Sequence, residues 1–68
     1  MKFKIGDLVT LSAAGRKAQQ NYSVKTGFGV VLLIDVVRDY PVKCAWFGGK
    51  RDEFSFKTYE LKFFNKNS

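Results

Sequence analysis

The sequence predicts an all-β fold, a small closed barrel of five short strands with a long first loop and one short helical turn. Short segments in which apolar and polar residues alternate with a period of two indicate strands that each bury one face. Glycine, proline and aspartate separate these segments, as expected of turns. A polar stretch over residues 12–25 shows no alternation and predicts the long loop. Closure suits a chain of 68 residues, because a barrel hides strand edges that would otherwise associate.

The first strand is predicted at Asp7–Leu11, where Val9 and Leu11 share one face. Ser12 follows it and can cap a short helical turn at Ala13–Gln20, because its hydroxyl can accept a backbone N–H. The rest of this segment, up to the second strand, is polar and is expected to be loop.

The second strand is predicted at Phe28–Val37. Its apolar run is nearly continuous, so both faces are expected to be partly covered, with Val31 and Ile34 pointing into the core. Gly27 and Gly29 are expected to permit the tight turn or bulge that leads into the strand, with Gly29 at the start of the turn. The strand is expected to end in a turn at Arg38–Pro41, since proline favours an extended conformation in the residue before it.

The third strand is predicted at Val42–Phe47. Val42, Cys44 and Trp46 alternate with Lys43, Ala45 and Phe47, and the first set is expected to face inward. A hairpin turn at Gly48–Lys50 leads to a fourth strand at Glu53–Lys57. A tight turn at Thr58–Glu60 then precedes the last strand, at Leu61–Phe64.

A single domain is expected over residues 1–64, followed by a frayed tail over residues 65–68. The chain contains seven Phe, three Tyr and one Trp, and side chains of this size dominate the stability of small cores. We expect Trp46, Phe54, Phe56 and Phe63 to form the core, with Phe3 at its rim.

No catalytic or cofactor site is expected. The chain has one cysteine and no histidine, so an internal disulfide and Ser/His or Cys/His chemistry are excluded and a zinc site is not expected. Asp52 and Glu53 are neighbours on a predicted strand and therefore face opposite ways. Cys44 is expected to be an inert core thiol, and the protein is predicted to be a non-enzyme.

The expected location is the cytoplasm, without a membrane partner. The longest apolar run, Val30–Ile34, is far shorter than the ~20 residues that a membrane-spanning helix needs. The N-terminal stretch MKFKIGDL has no apolar segment of the kind that signal peptides contain. A single free cysteine is typical of a reducing compartment.

Five short motifs occur in a characteristic order: FKIGDLVTLS, GRKAQQ, TGFGVVLLI, YPVKCAWFGGK and YELKFF. In this order they resemble the small SH3-like barrel proteins of phages and prophages, and the ending also resembles KOW and Mind-bomb-type barrels. The resemblance covers residues 3–64 and implies an SH3-like barrel in the host cytoplasm. Val36 and Val37 depart from the pattern as an insertion. Most members of the phage group lack a known activity, so the resemblance implies a fold more than a function.

The charge predicts a polyanionic partner. Twelve Lys and Arg stand against six Asp and Glu, a net charge of +6, which most simply fits nucleic acid, DNA or RNA. The resemblance places the ligand site beside the first loop. The predicted site residues form two clusters, Arg16, Lys17, Tyr22 and Lys25 on that loop and Lys43, Phe47, Lys50 and Arg51 on the third strand and its hairpin. We expect the cations to contact phosphates with weak sequence preference, while Tyr22 and Phe47 stack on bases.

Two other partners fit the same residues. A protein-interaction module would use the exposed rings as anchors and the positive charge to approach an acidic host protein, such as a polymerase or nuclease. The other partner is a second copy of the chain, in a weak homo-oligomer that buries Phe47 and Phe64 between copies. Without such association the protein is expected to be a monomer.

Overall fold

The computed structural model describes residues 2–64, which form one antiparallel sheet of five strands with little helix. The strands are β1 (Leu8–Leu11), β2 (Phe28–Ile34), β3 (Val42–Phe47), β4 (Glu53–Phe56) and β5 (Leu61–Phe63), and the helices are α1 (Ala13–Lys17) and the 3-10 helices η1 (Gln19–Val24) and η2 (Thr58–Glu60). The strand order is β4-β3-β2-β1-β5, so β4 and β5 form the two edges and the sheet is not closed. The predicted tail at residues 65–68 lies outside the described residues.

The core covers the inner face of the sheet and confirms the predicted alternation of β3. Val42, Cys44 and Trp46 are buried, whereas Lys43 and Phe47 are exposed. The buried apolar side chains are Phe3, Val9, Leu11, Val24, Val31, Val42, Cys44, Trp46, Phe56 and Leu61.

Three aromatic positions of the core differ from the prediction. Phe3 is fully buried rather than at the rim, and its ring packs on Phe63 with centroids 5.0 Å apart. Phe54 and Phe63 are only partly buried at the margin of the core. They lie on β4 and β5, the two edge strands, where no further strand covers the outer side of the ring.

The second strand is shorter than predicted. β2 ends at Ile34, and its pairing with β3 shifts between Val31 and Leu33, which is the mark of a β-bulge. The prediction that Val36 and Val37 belong to the strand is wrong. Both lie in the β2–β3 turn and are 74% and 87% exposed. Asp35 forms the turn instead, because its carboxylate accepts the backbone N–H of Val37 at 3.3 Å.

The first loop is more ordered than the polar sequence indicated. The predicted helical turn is present as α1, and Ser12 Oγ accepts the backbone N–H of Gly15 at 3.1 Å. The residues after it form η1, in which Asn21 and Val24 are fully buried. The nitrogen of this buried amide is satisfied, because Asn21 Nδ2 donates to the carbonyl oxygen of Gly15 at 2.9 Å, whereas Oδ1 has no hydrogen-bond partner among the described residues.

Glu60 joins this loop to the end of the sheet. Its side chain is 1% exposed, and Oε1 accepts the backbone N–H of Lys57 at 2.8 Å. Its other oxygen, Oε2, accepts the side-chain amides of Gln20 and Asn21 at 3.4 and 3.5 Å. Ser12 Oγ adds a hydrogen bond to the carbonyl oxygen of Tyr59 at 2.6 Å. The first loop is thereby tied to η2, some forty residues later in the chain.

The stability of the folded chain is expected to depend on the Cys44 thiol at high pH. Burial raises the pKa of Cys44 from 9.0 to about 12. Between these values unfolding releases a proton, so the free energy of unfolding should fall by up to about 1.4 kcal/mol per pH unit as pH rises. Urea denaturation of the wild type and of Cys44→Val at about pH 8, 9.5 and 11 measures this loss of unfolding free energy. The contributions of the other titrating groups cancel in the difference between the two proteins. Equal losses in the two proteins would contradict it.

Candidate functional site

Hydrogen bonds between the first loop and the β3–β4 hairpin bring part of the second predicted cluster, at Lys50, to the loop that carries the first cluster. Thr26 Oγ1 donates to the carbonyl oxygen of Gly48 at 2.7 Å, and the backbone N–H of Lys50 donates to the carbonyl oxygen of Ser23 at 2.7 Å. Lys25 and Lys50 therefore lie at the same end of the sheet. We call this end, with Arg16, Lys25, Phe47 and Lys50, the basic end.

The close approach of loop and hairpin depends on Gly27. Its φ is +90°, in the left-handed region, and a Cβ there would overlap the carbonyl oxygen of Phe47. The prediction that Gly27 permits a tight turn here is confirmed, whereas the prediction that Gly29 starts the turn is wrong. Gly29 has no positive φ and lies within β2, where its missing side chain leaves room for the Trp46 ring. Trp46 Nε1 in turn donates to the carbonyl oxygen of Thr26 at 2.8 Å.

Of the first cluster's side chains, that of Arg16 reaches this end from α1. Arg16 Nη1 donates to the carbonyl oxygen of Lys25 at 3.2 Å, which holds the guanidinium beside that lysine. Lys17 is exposed at the end of α1, and Tyr22 is 71% exposed on η1. All four residues of the first cluster are thus accessible to a ligand.

Two residues of the second cluster are placed differently from Lys50. Lys43 lies on the outer face of β3, and its ammonium pairs with the Glu53 carboxylate at 3.2 Å. The Arg51 guanidinium stands 5.1 Å from the centroid of the Phe54 ring, on the side of the sheet edge. Both cations already have a partner, so each offers less to an anion than Lys25 or Lys50 does.

Lys43 and Arg51 instead line an open groove of about 910 Å³ beside β4. The lining residues are Gln20, Val37, Arg38, Asp39, Tyr40, Lys43, Arg51, Glu53, Phe54 and Ser55. Its three cations face two carboxylates, and Arg38 also pairs with Asp35 at 3.2 Å. The groove therefore has no dominant charge that would select an anion.

A row of three aromatic rings on the outer face of the sheet extends the basic end. Phe28 is partly buried in the middle, with the Phe47 ring 5.4 Å away and the Phe64 ring 5.1 Å away between centroids. Phe47 and Phe64 are 50% and 48% exposed. The sequence prediction included only Phe47, because Phe28 and Phe64 are neighbours through sheet pairing that the strand pattern alone does not give.

Aliphatic side chains continue the same outer face away from the rings. Leu8 and Leu33 are 43% and 49% exposed, and Val30 is partly exposed between β1 and β3. A solvent-facing sheet surface is ordinarily polar. This surface is therefore a candidate for covering by a partner.

Between residues 2 and 64 no group of three or more cysteine, aspartate or glutamate side chains could hold a metal ion. In the same part of the chain no helix has the length and apolar character needed to cross a membrane. Comparison of the chain with protein-family models, curated proteins and solved structures finds no match in any of the three.

Proposed function

We propose that this protein is a small, non-enzymatic module that binds nucleic acid through backbone phosphates with weak sequence preference. The observation that supports this most is the basic end, where Arg16, Lys25 and Lys50 meet beside the half-exposed ring of Phe47. Clustered cations attract phosphates, and a ring among them can stack on a base.

The proposed contacts follow the charges and their partners. Arg16, Lys25 and Lys50 would carry the main phosphate contacts, with Lys17 beside them on α1. Tyr22 and Phe47 would stack on bases. Lys43 and Arg51 would contribute at the periphery, since a phosphate has to compete there with Glu53 and with the Phe54 ring.

The fold is proposed to be an SH3-like barrel of the kind that phages encode, acting in the host cytoplasm. The strand order β4-β3-β2-β1-β5 and the 3-10 helix η2 directly before β5 support this arrangement. The bulge in β2 supports it as well, because bulges bend strands at the corners of small barrels.

Steep salt dependence is the expected signature of phosphate binding. A complex with about six phosphate contacts should show a slope of about −4 to −5 in a plot of log affinity against log salt. Fluorescence anisotropy with labelled DNA and RNA of mixed sequence at several salt concentrations measures the slope. A flat salt response, or absence of binding at low salt, would contradict the proposed function.

Charge removal at the basic end should reduce that slope. Lys25→Gln and Lys50→Gln should each lower its magnitude by about 1, because each removes one phosphate contact. Lys2→Gln is the matched control, since it removes the same charge near the N-terminal end of the described chain, where the Lys2 ammonium stands 5.1 Å from the Phe3 ring centroid. An equal change in all three variants would indicate a general charge effect and not a site.

A protein-interaction module is the second candidate, supported by the exposed aliphatic side chains. Leu8, Leu33, Val36 and Val37 offer apolar area that phosphates and bases do not need. An acidic host protein could cover this surface, or a second copy could bury Phe47 and Phe64. Pull-down from nuclease-treated lysate and light scattering over a dilution series distinguish these partners: a single stoichiometric protein, or a concentration-dependent mass, would favour them over nucleic acid.

A further inference from the structure

We propose, on the basis of the function proposed above, that the nucleic acid is single-stranded and that its bases stack on the outer-face rings. Phe28, Phe64 and Lys62 thereby join the residues proposed to bind.

The rings stand on one face of the sheet because of its register. Phe28 pairs with Phe47 across β2 and β3, so both side chains point outward, opposite to Trp46. Phe64 joins them from beyond β5, where its backbone N–H donates to the carbonyl oxygen of Leu8 at 2.9 Å. The interplanar angles to Phe28 are 31° for Phe47 and 26° for Phe64, so Phe64 stacks on Phe28 whereas Phe47 is tilted against it.

Contact with Phe28 orders the two outer rings before a ligand arrives. Phe28 is partly buried, whereas Phe47 and Phe64 each keep about half of their surface in solvent. Ordering an exposed side chain on binding ordinarily costs conformational entropy. Here packing on Phe28 has already reduced that freedom, so the exposed ring surface can accept another flat group at low cost.

Cations flank the rings on both sides. Lys25 and Lys50 lie on the loop and hairpin next to Phe47. On the other side, Lys62 pairs with Thr10 and precedes Phe64 by two residues, so its exposed side chain shares the outer face. A chain of phosphates that passes from the basic end to Lys62 would cross the rings. Aromatic rings beside a track of cations are the arrangement with which proteins bind single-stranded nucleic acid.

The half-exposed rings favour a single strand over a duplex. In a duplex each base has both faces covered by its neighbours, so a ring on a sheet surface cannot stack on it without unstacking the helix. In a single strand the bases are free to stack on aromatic side chains, which contributes to affinity without selecting a sequence. Phosphate contacts alone would not distinguish the two forms.

The test compares oligothymidylate about 15 nucleotides long with a duplex of the same length, within the usual site size of such modules. Anisotropy at about 50 and 200 mM salt should show single-strand binding tenfold or more tighter than duplex binding, at each salt concentration. Phe47→Leu should weaken single-strand binding about tenfold and leave duplex binding unchanged, since leucine keeps apolar bulk but has no ring. Phe47→Tyr should restore it.

Tyr40→Leu is the matched control, because Tyr40 is an exposed ring beyond the opposite end of β3. It should bind oligothymidylate like the wild type. Equal affinity for strand and duplex with a steep salt dependence would overturn this inference while the proposed function stands. Unchanged single-strand binding by Phe47→Leu would also overturn it. Failure to bind either nucleic acid would overturn both and would favour a protein partner on this face.

Discussion

Replacement of Gly27 by alanine is expected to destabilise the fold by about 3 kcal/mol or more. It should also separate the first loop from the β3–β4 hairpin, and with it Lys25 from Lys50. Two effects add. The positive φ of +90° costs a residue with a Cβ about 1–2 kcal/mol. The new methyl group would also overlap the carbonyl oxygen of Phe47, which is backbone and cannot move without shifting β3.

Gly6→Ala separates these two effects. Gly6 has a φ of +95° but open space where a Cβ would stand, so it carries the conformational cost without the overlap. Urea denaturation should therefore show a loss of about 1–2 kcal/mol for Gly6→Ala, and a clearly larger one for Gly27→Ala. Equal losses would mean that the contact between Gly27 and the hairpin is not tight.

Trp46→Ala is expected to cost about 3–5 kcal/mol, most of the stability of a domain of this size. The side chain is 4% exposed and packs on the Phe56 ring at 5.3 Å between centroids. Its indole N–H also holds the carbonyl oxygen of Thr26, so truncation leaves a cavity and releases the loop that carries Lys25.

Far-UV circular dichroism is the required measurement for Trp46→Ala, since the substitution removes the only tryptophan of the chain. Trp46→Phe is the matched control. It keeps most of the ring packing and loses the hydrogen bond, so it should cost less than the alanine variant. A thermal midpoint of Trp46→Ala within about 4 °C of the wild type would contradict the prediction, because this corresponds to a loss of only about 1 kcal/mol.

The strands could be predicted because alternation reflects burial on one face of a sheet. Val42, Cys44 and Trp46 follow that rule in β3, and the structure confirms them. Val36 and Val37 do not, because an apolar side chain in a turn looks the same in sequence as one in a strand. The hydrogen bonds of Asp35 distinguish the two states: its carboxylate accepts the N–H of Val37, and its backbone bonds to Arg38 and Pro41.

The order of the first loop could not be predicted, since its buried partners are distant in sequence. Asn21 is polar, and polar residues between strands ordinarily indicate solvent-exposed loop. Its burial depends on the carbonyl oxygen of Gly15 and on Glu60. The candidate site shows the same dependence: the charges of Lys25 and Lys50 are visible in sequence, but their meeting requires the contacts of Thr26 and Ser23 with the hairpin.

The hydrogen bonds that Glu60 makes to η1 determine when the entropy of ordering the first loop is lost. Flexible basic arms fold around their target and lose entropy as they do so, which weakens the complex. Here the segment that bears Arg16 is already anchored through Gln20 and Asn21 when the polypeptide reaches its native state. The entropy of immobilising these charges is thus lost during folding, and the proposed binding of a polyanion does not have to repeat that loss.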